Sequence, residues 1–143
     1  MDKAQILKGL TENQLRSVKA SQGAFLILAG PGSGKTTVIT RRIAWKLCHN
    51  ISPNQILALT FTNKAALDMR SRAQLLVNNL GINANGLTIM TFHSFAARLL
   101  RIYGDPVLSS KDFTICDRAE RLQLIKQSVV DLNLNTSNFP LNS

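Results

Sequence analysis

The sequence has few acidic residues, few cysteines and no long apolar run. Eight Asp and Glu stand against 17 Lys and Arg among 143 residues. The two cysteines, Cys48 and Cys116, lie far apart and match no metal-binding spacing, so we expect reduced thiols in an intracellular protein. The compartment would be the cytoplasm or nucleoid in a bacterium and the nucleus in a eukaryote. No apolar run could span a bilayer and no signal-peptide pattern is present, so we expect no membrane partner.

The shortage of acids leaves a formal net charge of +9. Such a charge favours a polyanionic partner, with nucleic acid first and an anionic membrane second. The charge indicates nucleic-acid binding more strongly if the basic residues cluster near motifs that can bind a nucleic-acid strand.

The most specific pattern is residues 29–36, which read Ala-Gly-Pro-Gly-Ser-Gly-Lys-Thr after the apolar run 25–28. It predicts a phosphate-binding loop between a strand and a helix, because glycines permit positive φ and let amide groups approach phosphate oxygens. Lys35 would hold the β- and γ-phosphates, and the Thr36 hydroxyl would bind Mg²⁺. The strict pattern has Gly where this chain has Ala29, and a glycine-rich turn without function is the alternative. The predicted nucleoside triphosphate contacts are Ala29, Gly30, Pro31, Gly32, Ser33, Gly34, Lys35, Thr36 and Thr37.

Apolar periodicity predicts strands alternating with helices. The alternation is typical of a three-layer α/β domain with a parallel sheet. We expect a partial domain over residues 1–104 and the start of a helical insertion over residues 105–143. The predicted strands are 25–29, 56–61 and 87–90, and the predicted helices lie within 6–20, 33–48, 63–79, 91–103 and 117–132.

Three further segments carry polar or aromatic residues near the ends of these elements. Gln14 follows Thr11 at capping-box spacing, and its amide has the donor and acceptor needed for adenine, although a solvated helix residue is the simpler reading. Residues 60–66 and 91–95 follow the second and third strands, where open α/β sheets place ligands. On spacing alone Phe61 is better explained as a core residue, and Thr62 could equally be a simple N-cap. His93 has no partner at metal-ligand spacing.

Taken together, these segments resemble the UvrD/Rep/PcrA group of superfamily 1 DNA helicases. Residues 10–14 look like its Q motif, residues 29–44 like motif I, residues 56–72 like motif Ia and residues 91–101 like motif Ib. Residues 113–140 are similar to the start of its helical 1B insertion. The resemblance implies a P-loop NTPase domain of the RecA-like type, with an incomplete sheet in this chain.

The resemblance also implies roles for individual residues, with ATP and Mg²⁺ as cofactors. Gln14 would read adenine, and Lys35 and Thr36 would be the catalytic pair, Thr36 binding Mg²⁺. Thr37 stands where many members carry Arg, so a contact made by that Arg is not carried over. Single-stranded DNA, including its junctions with duplex, would be contacted by Phe61, Thr62, Asn63, Lys64, Thr91, Phe92 and His93. Phe61 would offer a ring for base stacking.

Catalysis in this class also needs an Asp-Glu pair at a strand end and arginines from a second motor domain. The sequence has no Asp-Glu dipeptide, and its two glutamates, Glu12 and Glu120, end no apolar run. We therefore expect the N-terminal part of a 3′-to-5′ ATP-dependent DNA helicase, catalytically incomplete alone, with the rest of the helicase as a partner. A free-standing noncatalytic ATP- and DNA-binding module is the alternative. A small P-loop kinase or GTPase would leave residues 60–66 and 91–94 without a purpose.

Overall fold

The structure, a computed structural model, describes residues 3–104 and 112–134. It divides into two compact units, Met1–Arg98 and Leu99–Ser143. The predicted boundary between residues 104 and 105 stays a prediction. The elements in chain order are α1 Ala4–Leu7, α2 Glu12–Lys19, α3 Lys35–Cys48, a 3₁₀ turn Pro53–Gln55, β1 Leu57–Thr60, α4 Asn63–Asn79, β2 Thr88–Thr91, α5 Phe92–Tyr103 and α6 Arg118–Asp131.

The strands β1 and β2 form a parallel pair joined through α4, with Leu57 opposite Thr88 and Thr60 opposite Thr91. Parallel neighbours need a long crossover, which α4 supplies. This arrangement confirms the α/β class and the second and third predicted strands.

The first predicted strand, residues 25–29, is wrong for this structure. No strand is assigned there, and Leu26 and Leu28 are 84% and 86% exposed. The apolar run predicted a buried strand, but its side chains are exposed here, and a strand also needs a neighbour to accept and donate its backbone hydrogen bonds. Among the described residues, β1 pairs with β2 and neither pairs with this segment. The sheet therefore has two strands where we expected three.

Polar N-caps set the helix starts that the sequence predicted. Thr11 Oγ1 accepts a hydrogen bond from the Gln14 amide, and Gln14 Oε1 accepts one from the Thr11 amide. Asp117 and Glu120 repeat this capping box at α6. Such caps satisfy amides that have no partner inside the helix, and each typically contributes about 1 kcal/mol.

The core of the first unit lies where α1, α3 and α4 meet the β1–β2 pair. Ala44, Ala73 and Val77 are fully buried at its centre. Small residues on facing helices let the helices approach closely, and larger side chains from the strands and α1 fill the remaining space. These larger residues include Ile6, Ile43, Leu47, Ile56, Met69 and Ile89. Within the ranges 3–104 and 112–134, no helix is long and apolar enough to cross a membrane.

Gly86 is a position where the backbone favours glycine. Its φ is +93°, and a Cβ built there would lie 1.8 Å from Oδ1 of Asn54. We predict that Gly86→Ala lowers the free energy of unfolding by about 1–2 kcal/mol, the cost of a left-handed conformation, because the end of the exposed Asn54 side chain can move away at little further cost.

Gly23→Ala is the matched control, since φ there is +91° with nothing within 4 Å of the added Cβ. Urea denaturation of both variants measures the difference. Losses of similar size are expected, and a clearly larger loss for Gly86→Ala would contradict the prediction by showing that Asn54 cannot move away.

Candidate phosphate site and nucleic-acid interface

The loop between residues 29 and 36 enters α3 through a left-handed glycine. Gly34 is the N-cap of α3 with φ +83°, and Gly32 has φ +72°. Gly30 does not have a positive φ, so only two of the three loop glycines adopt the backbone conformation that favours glycine. The first helical hydrogen bond runs from the Val38 amide to the Gly34 carbonyl. The amides before Val38 thus have no acceptor inside the helix and are free to meet an anion.

Lys35 folds back over the loop. Its Nζ donates to the carbonyls of Ala29 at 3.0 Å and Gly30 at 2.6 Å. The Ser33 hydroxyl also donates to the Gly30 carbonyl, at 2.7 Å. The ammonium group is therefore held inside the loop, where phosphate oxygens could replace the two carbonyls as its acceptors. Pro31, between the glycines, is exposed.

Thr36 is half-buried in the first turn of α3, and its hydroxyl has no hydrogen bond within the described part of the chain. That oxygen fits a Mg²⁺ ligand. The described residues contain no group of three or more His, Cys, Asp or Glu that could hold a metal. A magnesium ion here would therefore depend on phosphate oxygens and water for most of its coordination. The next residue, Thr37, is half-buried and its carbonyl accepts from Thr40 Oγ1 at 3.1 Å.

Gln14 joins α2 to the loop. Its Oε1 accepts from the Thr11 amide at 3.0 Å, and its Nε2 donates to the Ser33 carbonyl at 3.0 Å. An amide group has a second N–H and a second lone pair, so these contacts leave capacity for a base edge. The same Nε2 lies 2.9 Å from where a Cβ on Gly34 would stand. Gln14, Ser33 and Gly34 therefore fit together with no spare room.

An open cleft of about 490 Å³ connects these groups. Its walls come from α2, from residues before the loop, from the loop and from the first turns of α3. Apolar side chains and polar groups both line it, as is usual for sites that bind small molecules. The lining residues are Thr11, Asn13, Gln14, Ser17, Ile27, Leu28, Ala29, Gly30, Ser33, Lys35, Val38 and Ile39.

The second candidate surface lies at the carboxyl ends of β1 and β2. Because Thr60 pairs with Thr91, the residues that follow them are neighbours, and the Phe61 and Phe92 ring centroids are 5.4 Å apart at 37°. Phe61 is 86% exposed and Phe92 is 48% exposed. The core reading of Phe61 is therefore wrong. Phe92 was predicted as a DNA contact, but its packing against Phe61 was not, although both rings directly follow neighbouring parallel strands.

Of the polar residues around the aromatic pair of Phe61 and Phe92, some are exposed and others form hydrogen bonds within the fold. Asn63, Lys64 and His93 are exposed. The Thr62 hydroxyl caps α4 by accepting from the Ala65 amide at 3.1 Å, so the simple N-cap reading holds in this structure. Thr91 is buried, and its hydroxyl lies 2.9 Å from that of Ser94. Thr91 therefore stabilises the start of α5 and offers little side-chain surface to a strand.

Two arginines of α4, Arg70 and Arg72, are engaged by other groups of the fold. Arg70 donates to the Ile89 carbonyl of β2 at 2.8 Å, and Arg72 pairs with Asp68 at 2.9 Å on the surface of α4. An exposed pair of this kind contributes little to stability. Arg70 thus supports the strand that leads to Phe92, whereas the Lys64 side chain is exposed.

The cysteines lie outside both surfaces and are free. Burial raises the pKa of the Cys48 thiol, and the positive charge of Lys3 acts in the opposite direction. A buried thiol with a raised pKa has little thiolate, which is typical of a structural cysteine.

An α/β chain with this loop at a helix N-terminus has the features of the nucleotide-binding class. The comparisons with known proteins define it further: the model of the UvrD/REP helicase N-terminal domain matches residues 10–142, and the chain belongs to that family.

Named relatives are similar over nearly the whole chain. DNA helicase II of Haemophilus influenzae is 45% identical over 98% of this chain, and DNA helicase II of Escherichia coli is 40% identical over 98%. The ATP-dependent DNA helicase PcrA of Bacillus subtilis is 41% identical over 94%. The chain spans only 20%, 19% and 18% of the length of these relatives.

The contact between Gln14 and Gly34 predicts a coupling that can be measured. Gly34→Ala should lower the free energy of unfolding through its positive φ and through contact with Gln14 Nε2. The loss should be smaller in a Gln14→Ala background, with a coupling of at least about 0.5 kcal/mol.

Gly32→Ala provides the control cycle, because φ there is +72° with nothing within 4 Å of the added Cβ. Its loss should add to that of Gln14→Ala without coupling. Denaturant unfolding of the three single variants, the two double variants and the parent measures both cycles. Additivity in both cycles would show that the close contact has no energetic weight.

Proposed function

We propose that this chain is the ATP-binding, strand-contacting part of a DNA helicase that moves 3′ to 5′ on single-stranded DNA and unwinds duplex. The observation that carries the proposal is the loop itself. Gly32 and Gly34 with positive φ, Lys35 held in the loop and Thr36 at the start of α3 form a phosphate site in a chain of this family. We also propose that the domain has the three-layer RecA-like fold.

In this proposal each loop residue has one task on ATP. The amides at the start of α3 and Lys35 Nζ bind the phosphate oxygens, and the ammonium exchanges its two carbonyl acceptors for the β- and γ-phosphates. Gln14 uses its remaining donor and acceptor on the edge of adenine. Thr36 holds Mg²⁺, which neutralises phosphate charge when bound.

The aromatic pair and its exposed polar neighbours form the DNA-contacting surface. Phe61 stacks on a base, and Phe92 supports it from 5.4 Å away. Asn63, Lys64 and His93 contact the backbone, while Thr62 and Thr91 position the helices that carry them. The adjacent ends of β1 and β2 then place the DNA contacts together at one edge of the sheet. Junctions of single strand with duplex are the proposed substrate, inside the cell.

We propose further that the Asp-Glu pair and the arginines that catalysis in this class needs come from outside these 143 residues. The relevant experiment measures ATP hydrolysis, with and without single-stranded DNA, for this chain and for a version extended by whatever its gene encodes downstream. DNA-stimulated turnover is expected from the extended version alone. Turnover by the 143-residue chain would contradict the proposed incompleteness.

A noncatalytic ATP- and DNA-binding module is the second candidate, favoured by the missing Asp-Glu dipeptide. The same experiment separates the two candidates. Nucleotide and DNA binding with no turnover in any extended version would support the module.

Lys35→Ala should abolish detectable ATP binding, because no other side chain in the loop can bring a mobile cation to the phosphates. Weak DNA binding should remain. Lys46→Ala is the control, since Lys46 lies in the last turn of the same helix and outside the cleft. Calorimetric titration with ATP and fluorescence anisotropy with an oligonucleotide measure the two affinities. Unchanged ATP affinity in Lys35→Ala would refute the assignment of the loop.

Phe61→Ala should weaken oligonucleotide binding by about 1–3 kcal/mol, the range for losing one base–aromatic stack. ATP affinity should not change. Tyr103→Ala is the control, because Tyr103 is an aromatic that is 72% exposed and is not on the proposed surface. Anisotropy titrations at one fixed salt concentration give the comparison. If both variants lose equally, the ring pair is not a specific stacking site.

A further inference from the structure

Arg42 makes contacts that the phosphate loop and the aromatic pair do not account for. It lies half-buried on α3, and its Nη1 donates to the carbonyls of Ser17 at 2.7 Å and Val18 at 3.4 Å. Both carbonyls belong to the last turn of α2, where no intrahelical donor is available. A cation at a helix C-terminus is also favoured by the helix dipole.

The same guanidinium reaches the chain just before the loop. Its Cζ lies 5.6 Å from the centroid of the Phe25 ring. The Arg42 side chain therefore joins α3, to which it belongs, to α2 and to the segment that leads into the phosphate loop.

The two ends of α2 are thus fixed by different contacts. Gln14 attaches the N-terminal end to the loop through the Ser33 carbonyl at 3.0 Å. Arg42 attaches the C-terminal end to α3, and Val18 is fully buried beside it. Because α2 has only eight residues, we expect it to move as one rigid element. The rise along a helix is about 1.5 Å per residue, so Gln14 lies close to the C-terminal end and is displaced with it.

We propose that Arg42 is a positioning residue that sets the register of Gln14 against the loop, and so controls selection of adenine over guanine. This inference rests on the proposed reading of adenine by Gln14. Both hydrogen bonds come from one nitrogen, Nη1, so an ammonium group can replace part of the contact but not the planar group beside the Phe25 ring.

Arg41 provides a matched comparison on the same helix. Its Nη1 also donates to the backbone carbonyls of Gln5 and Ile6, but both residues belong to α1 and not to α2. A variant at Arg41 removes the same kind of contact without releasing α2.

The first measurement is nucleotide selection. The affinity of the 143-residue chain for a fluorescent ATP analogue is measured by competition with ATP and with GTP, in the parent, Arg42→Gln, Arg42→Lys and Arg41→Gln. Arg42→Gln should reduce the preference for ATP over GTP by about fivefold or more, the lower limit for losing a two-bond contact to a base. Arg42→Lys should retain part of the preference, and Arg41→Gln all of it.

The second measurement needs no nucleotide. Hydrogen exchange should be faster in α2 and in residues 30–34 of Arg42→Gln, whereas Arg41→Gln should affect the α1 region. Unchanged exchange in α2 and the loop of Arg42→Gln, or equal weakening of ATP and GTP, would overturn the proposal. A parent chain that binds both nucleotides equally would instead refute the role of Gln14, and the exchange result would still decide whether Arg42 fixes the loop.

Discussion

The absence of a side chain at Gly34 is the constraint on which the phosphate site depends. The left-handed φ of +83° turns the chain from the loop into α3, and the missing Cβ makes room for Gln14 Nε2. Gln14 can then reach the Ser33 carbonyl while it also completes the capping box of α2. One glycine therefore allows the helix dipole, the ammonium of Lys35 and an amide suited to adenine to converge on one cleft.

The positive charge of the chain is divided between internal and external tasks. Arg41, Arg42 and Arg70 donate to backbone carbonyls and hold α1, α2 and β2 in place. A guanidinium suits this because it presents several donors in a rigid plane. Lys64 remains exposed beside the aromatic pair. The net charge of +9 therefore overstates the charge free for a nucleic acid, since part of it stabilises the fold.

Local patterns in the sequence predicted the helices, their caps and two strands, because each depends on residues within a few positions of each other. Thr11 with Gln14 and Asp117 with Glu120 are examples. The predicted strand at 25–29 is wrong because strand formation depends on a distant partner, which apolar content does not specify. The contacts of Gln14 with Ser33 and of Arg42 with Ser17 join residues 19 and 25 positions apart, and no local pattern reveals them.

The exposed segment before the loop has a consequence for how the site is held. A phosphate loop that follows a paired strand is fixed from the sheet side, but here residues 25–28 make no strand and their large side chains are exposed. The loop in this structure is instead held from the helical side, by Gly34 in α3, by Gln14 in α2 and by Lys35 on its own carbonyls. Contacts of single side chains can therefore change its geometry more than they could in a loop anchored by a sheet. For this reason the hydrogen bonds from Arg42 to α2 have the proposed effect on Gln14 in a cleft that Arg42 itself does not line.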